Sequence, residues 1–436
     1  MPKPHISARV ILILLILGSN SWASTYYVRS TGDGLALAYP GKAPDQGTYQ
    51  HRLETSGQLQ TAQAVPPAPP GGLRIVPALT VSLGSWRSTE PLTSFSPGGA
   101  HDSASVAWNG YLYVTGGQYG SVNAVDRIQR AQIQSDGSLG PWRDMATLTP
   151  PVTLPTGRQD HKATIYTPTQ GGDTFIYIVA GWNNKALTDV YHAKLLTDGT
   201  LGPWSQGPSL NTQRHGHDIA IVNGRLYAFG GWDSFGALDS VEYVDILADG
   251  SLRGNEQGKW FIAKPLQQKL NFPAGGPYPA WPGRSDSSKI YVLGGENPDR
   301  CPDAIQKIVY VATPEPDGSI QQWQLATSMP GHLFDHAATF YQNSIIVTGG
   351  SLRRSSSGGN CISGDAVPQT SVYIGTVAQD GSITSWVEGP DLPAPRGDHT
   401  AVLHNGFLYI IGGRSTSSTP PYALEVWFAP VQTKPQ

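Results

Sequence analysis

Five histidines, His101, His161, His217, His336 and His399, each open an apolar run of the chain. Imidazole nitrogens repeated in this way are potential metal ligands. A residue that recurs once per repeat is better explained by an ordinary buried hydrogen bond, and one repeat lacks the histidine, so no metal is expected. Three of the five have an arginine three residues upstream, Arg158, Arg214 and Arg396, and Arg284 aligns with them where the histidine is missing. A guanidinium is a planar fork of donors. These four either pair with their neighbours Asp160, Asp218, Asp286 and Asp398 or hold an anionic or hydroxyl-rich ligand. Tyr119, Trp182, Trp232 and Glu296 complete the candidate ligand-binding set, because indole rings stack on sugar and aromatic faces. No Ser-His-Asp order, paired-carboxylate spacing or zinc motif is readable, which makes binding a better expectation than catalysis, with no cofactor.

Such residues need elements to hold them, and composition narrows the choice. The 436 residues exceed what one hydrophobic core supports, so the chain is either several domains or one repeated architecture. With 51 Gly and 36 Pro, long helices are excluded, because each such residue in a helix interior costs about 1 or 3 kcal/mol. Short strands and tight turns fit. A net charge of -3 offers no basic field for nucleic acid, and 39% hydrophobic residues is too many for disorder.

From Val81 onward one unit recurs. A Trp is followed six residues later by Leu or Met at Trp86/Leu92, Trp142/Leu148, Trp204/Leu210, Trp260/Leu266, Trp323/Met329 and Trp386/Leu392. The steps between these Trp residues are 56, 62, 56, 63 and 63. An Asp-Gly turn signal precedes the Trp at Asp136-Gly137, Asp198-Gly199, Asp249-Gly250, Asp317-Gly318 and Asp380-Gly381. A hairpin pattern ending in Gly-Gly recurs as well, as in HDIAIVNGRLYAFGG from His217 to Gly231. The fourth unit keeps only its end, KIYVLGG from Lys289 to Gly295. Each unit therefore reads as a hairpin A–B, a strand C with an aromatic residue, and a strand D with its Trp.

The double Gly, the aromatic on strand C and the Trp on strand D resemble the kelch repeat of the galactose-oxidase-like central domain superfamily. The resemblance implies an all-β fold, a six-bladed β-propeller over residues 81–431. SLGSW at Ser82–Trp86 copies SLGPW at Ser138–Trp142 but has no A, B or C before it, and the last unit ends after strand C. The ring is then closed by an N-terminal outer strand that completes the last blade. In this fold the D–A loops bearing the four arginines open on the same face as the variable B–C loops, so the guanidinium groups are expected to converge near the channel mouth. The implied role is a ligand-binding or interaction module for a glycan or a protein, acting through the loop face. The alternative is a sugar-active enzyme similar to sialic acid mutarotases, using Glu296 with Arg214 or Arg284, or one similar to galactose oxidase. The copper chemistry of the latter needs a Tyr–Cys crosslink that this sequence does not suggest.

Cys301 and Cys361 follow the Gly-Gly of adjacent units, on equivalent loops. Side by side outside the cytoplasm they are expected to form a disulfide, which would stabilise by about 4 kcal/mol on the chain-entropy estimate; two free thiols are the alternative. Lys3, His5 and Arg9, the apolar run Val10–Leu17 and the small residues up to Ala23 read as a signal peptide, residues 1–23. Residues 24–80 carry a Pro-rich spacer, Pro66–Gly72, and 432–436 form a tail. A secreted or periplasmic monomer without a membrane span is expected.

Overall fold

The computed structural model describes residues 79–93, 100–168, 171–277, 289–353, 365–378, 380–416 and 422–435, with five short strands before residue 77. The chain divides into two units, residues 1–76 and 77–436. In the first, Val10–Leu12, Thr25–Ser30 and Ala36–Gly41 form an antiparallel sheet, and His51–Leu53 pairs with Leu59–Thr61. The rest of the expected leader and the whole Pro66–Gly72 spacer lie outside the described residues. No helix among the described residues is long and apolar enough to cross a membrane.

The second unit is a ring of six antiparallel blades. Blade one is built from Ala104–Trp108, Tyr111–Thr115, Ile128–Gln132 and Arg143–Asp144, strands A to D in order. Blade two uses Lys162–Tyr166, Phe175–Val179, Val190–Lys194 and Ser205–Gln206. In blade three, after Asp218–Val222, Arg225–Phe229 and Val241–Ile246, strand D is split into Leu252–Arg253 and Phe261–Ala263. The split accommodates the longer gap between Asp249-Gly250 and Trp260. Blade five runs Ala337–Tyr341, Ser344–Thr348, Val372–Val377 and Ile383–Glu388.

Blade four has a complete strand A, Ala274–Pro277, before Ile290–Leu293, Val309–Ala312 and Gln324–Leu325. The sequence hides it because AGGP lacks the apolar alternation of a strand. Packing requires those glycines: a Cβ on Gly275 would stand 2.6 Å from the Phe229 ring of blade three, and one on Gly276 2.6 Å from the Phe340 ring of blade five.

Blade six consists of Thr400–His404, Phe407–Ile411 and Val426–Pro435, closed from the other end of the propeller unit. Leu79–Leu83 and Arg87–Thr89 both pair antiparallel with Val426–Pro435. The ring is therefore fastened by its two ends, which leaves no long sheet edge open between first and last blade.

Six buried clusters fill the six gaps between blades. Each draws on two neighbouring sheets because a single blade cannot cover both of its faces. Hydrogen bonds also run across the gaps. All six strand-D indoles donate Nε1–H to a carbonyl in the segment that follows the preceding blade's strand D: Trp86 to Pro390, Trp142 to Glu90, Trp204 to Thr153, Trp260 to Pro208, Trp323 to Lys264 and Trp386 to Thr327, at 2.8–3.1 Å. Deeper in, strand-B tyrosines donate to the turn glycine of the next blade. The pairs are Tyr113 to Gly199, Tyr177 to Gly250, Tyr227 to Gly318, Tyr291 to Gly381 and Tyr409 to Gly137. Blade five has Ile346 at this position, and the next blade, closed by the N-terminal strand, has no Asp-Gly turn to receive a hydroxyl. Tyr227→Phe, which leaves the Gly318 carbonyl without its donor, is expected to cost about 1 kcal/mol. Urea unfolding of the variant reads this directly, and an unchanged midpoint would show that the bond adds nothing to stability.

Candidate functional site

Strand A of every blade faces the central channel, whose wall is made of small residues such as Ala104, Ala163, Gly275, Ala337 and Thr400 around a cavity of about 380 Å³. At the loop end, the residue two before strand A is Asp102, Asp160, Gly216, Phe272, Asp335 or Asp398 in blades one to six. All six have positive φ, from 47° to 57°. This is sparsely populated for any non-glycine residue, tolerated by Asp and strained for Phe. The strain is held by a closed circle of backbone bonds. Asp160 N–H donates to Asp102 O, Gly216 to Asp160, Phe272 to Gly216, Asp335 to Phe272, Asp398 to Asp335, and Asp102 back to Asp398, at 2.8–3.4 Å.

The circle brings four carboxylates into one small cavity of about 50 Å³, which is also lined by Lys162, His161, His217, His336, His399 and Phe272. Burial, followed by repulsion from Asp160 and Asp398, raises the Asp102 carboxyl well above the usual carboxylate range. Burial, then Asp398, does the same to Asp335, and these two carboxyls share a hydrogen bond. Asp398 is raised chiefly by burial. Two cations lie nearby: Arg414 Nη1 is 3.5 Å from Asp398 Oδ2, and Lys162 Nζ is 3.8 Å from Asp218 Oδ1. The histidines are kept neutral by burial, which lowers His161 and His217 well below 6.5 and brings His336 and His399 to about 3. His161 and His399 spend Nε2 on Thr115 and Thr348 of the preceding blades, at 2.9 and 3.0 Å.

His101 is not the fifth member of that histidine set. It pairs across to Gln118, the place that Gln159 and His215 occupy opposite Trp182 and Trp232. The strand-A position of blade one is Ser103. His101 stacks on Tyr422 at 4.2 Å, with Nδ1 2.7 Å from Asp102 Oδ2.

The described arginines of the candidate set do not converge on the channel. Arg158 is fully buried and grips Asp189 with two bonds of 2.9 and 3.1 Å. Arg214, also fully buried, donates to Glu242 Oε1 at 2.6 Å and to Gly230 O. Arg396 lies over the Trp427 ring at 4.1 Å and reaches Glu425 at 3.1 Å. Their partners are acids on or beside strand C rather than the adjacent Asp160, Asp218 and Asp398. Strand A turns those neighbours toward the channel, where Asp218 accepts from Gly275 N–H at 2.7 Å. Arg284 and Asp286 lie outside the described residues.

Tyr119 is buried, and its hydroxyl accepts from Gln129 Nε2 at 2.9 Å. Glu296, likewise buried, pairs with Arg353 at 2.7 Å rather than with Arg214. Trp182 and Trp232 are half-buried. Trp182 packs on His215, ring centres 4.9 Å apart, and His215 meets the edge of Phe272 at 6.2 Å. The channel mouth thus has an acidic arc from blades five, six, one and two and an aromatic sector from blades two to four. Cys301 caps the short helix Pro298–Arg300, while Cys361 lies outside the described residues.

The sequence reading missed the acidic arc. Its signal was an Asp directly before the strand-A residue in four repeats, Asp102-Ser103, Asp160-His161, Asp335-His336 and Asp398-His399.

Residues 213–250, the end of one D–A loop through strands A, B and C of blade three, match the kelch motif family model. The chain is a kelch-repeat β-propeller. Mouse Kelch-like protein 35 is 25% identical over 249 residues, covering 56% of this chain and 34% of that protein. The Kelch-like protein terF of Aspergillus terreus is 26% identical over 231 residues, covering 49% and 43%. Human Kelch-like protein 23 is 24% identical over 246 residues, covering 56% and 36%. The kelch propeller thus spans less than half the length of these relatives. Among solved structures it is similar to that titled "Structure of YjhT", with a TM-score of 0.53 at 14% identity, over 78% of this chain and 98% of that one. That likeness concerns the fold.

Proposed function

We propose that this kelch propeller is an interaction module that docks a protein partner on its loop face. One observation carries the reading: Phe235, in the B–C loop of blade three, is 93% exposed on a loop that is not slack. Asp233 Oδ1 accepts from Phe235 N–H at 2.6 Å and from Gly236 N–H at 2.9 Å, so the ring is held out on a closed turn. Val122 and Leu352, 46% and 37% exposed, stand on the B–C loops of blades one and five. Apolar side chains on a rigid, loop-bearing face suit the anchor role that aromatic residues take in protein interfaces.

A photoreactive phenylalanine analogue at position 235 tests this, with the same residue at Ile262, an exposed strand-D position, as control. Crosslinking in cells to one defined protein from positions 235 and 352, and not from 262, is the expected result. Absence of any protein adduct, or equal adducts from 262, would overturn it.

A glycan is the competing ligand, favoured by the half-buried Trp182 beside His215 and Phe272. Glycan binding lost in Trp182→Ala and kept in Phe235→Asp would move the assignment there. Turnover of a sugar has less support, because Glu296 and Arg214 are each committed to other partners.

A further inference from the structure

The acidic arc is more than a collection of carboxylates around an opening. His101, Asp102 and Asp398 can each offer a ligand atom, and these atoms lie within 4.8 Å of one another. Tyr422, stacked on His101, and the backbone circle through Asp102 and Asp398 fix where those donors stand. A second observation is independent of the cluster. His217 and His336, 0% and 5% exposed, line the cavity that Asp102 and Asp398 also line, with neither ring nitrogen in a hydrogen bond. Asp335 Oδ1 is buried there and receives no donor. Buried polar atoms in folded proteins almost always find partners, so the lining of this cavity has polar atoms left over for a small polar occupant. Asp102, Asp160, Asp335 and Asp398 line this cavity together, with Arg414 beside Asp398 and Lys162 beside Asp218. A cavity of about 50 Å³ admits an ion with a few waters.

We propose that the channel mouth binds one divalent cation through His101, Asp102 and Asp398, with Asp335 as a further oxygen donor. A mixed set of one imidazole and several carboxylates suits a first-row metal such as Mn²⁺ or Zn²⁺ better than Ca²⁺, which prefers oxygen alone. Arg414, beside Asp398, acts as the competing charge that the metal must outweigh.

The test uses the tag-free full-length chain, stripped with chelator and then titrated separately with MnCl₂, ZnCl₂, CaCl₂ and MgCl₂ by calorimetry and by thermal unfolding. One equivalent of Mn²⁺ or Zn²⁺ is expected to bind and raise Tm, since a ligand of the native state stabilises it. Asp398→Asn and His101→Gln should each weaken binding at least tenfold. Asn also tolerates the positive φ at position 398, and a rise in Tm of metal-free Asp398→Asn relative to wild type would show it folded. Arg414→Gln should tighten binding, whereas Asp136→Asn, in an exposed turn, should leave it unchanged. No binding by any of the four metals would overturn the site. Binding that survives both Asp398→Asn and His101→Gln would overturn the ligand set, and equal or tighter Ca²⁺ binding would overturn the metal class.

Discussion

Arg214→Ala is expected to destabilise the propeller by about 3–5 kcal/mol, the cost of leaving one half of a buried ion pair behind. Glu242 is 1% exposed and, besides Arg214, accepts from Asn211 N–H and Nδ2 and from Thr212 N–H. Without the guanidinium, those dipoles alone would have to stabilise its charge, and the Gly230 and Ser240 carbonyls would lose a donor. Arg396→Ala provides the internal comparison. Its partner Glu425 has a side chain 54% exposed, so water can replace the arginine and the loss should be clearly smaller. Chemical denaturation of the two variants gives the ranking. Equal losses would mean that packing, not the pair, sets the cost, and the double variant Arg214→Met/Glu242→Gln should recover much of the deficit.

A chain that begins at residue 91, lacking the two closing strands Leu79–Leu83 and Arg87–Thr89, should lose on the order of 5 kcal/mol or fail to fold. Val81, Leu83 and Trp86 all pack in the cluster between blades five and six, and burying an apolar side chain of this size contributes about 1.5–3 kcal/mol. The deletion also bares the outer edge of Val426–Pro435, an invitation to pair with another chain. Supplying residues 77–91 as a separate peptide should restore a sharp thermal transition. A truncated chain that melts like the intact one would show that the closing strand is dispensable.

The parts of this architecture that were legible in the sequence are those that local chemistry writes afresh in every repeat. An Asp-Gly turn needs its glycine at positive φ, and Asp136 closes it on Ser138 N–H in a way that Asp198, Asp249, Asp317 and Asp380 repeat. The strand-D Trp marked the blades because its indole serves one purpose in all of them. Strand A of blade four left no such mark, since its identity as a strand depends on Phe229 and Phe340 from other blades.

The site was harder to read for the same reason. Nearness in sequence suggested Asp218 for Arg214, yet the pleat sends Asp218 into the channel and brings Glu242, 28 residues away, against the guanidinium. His101 misled because it lies two residues from the true strand-A position. The carboxylate arc draws one residue from each of four repeats, and only closure of the ring makes them neighbours.

The circle of six backbone bonds at the channel mouth, and the wider one of six indole bonds near the rim, both return to their starting point. A linear array of repeats has terminal members that touch one neighbour, and from these it can fray. Here every blade has two neighbours, so melting has nowhere inexpensive to begin. Letting one blade go breaks the hoop on both sides, and the other five then become an open stack with two new ends. Such a molecule holds its loop face to a fixed outline until it fails as a whole.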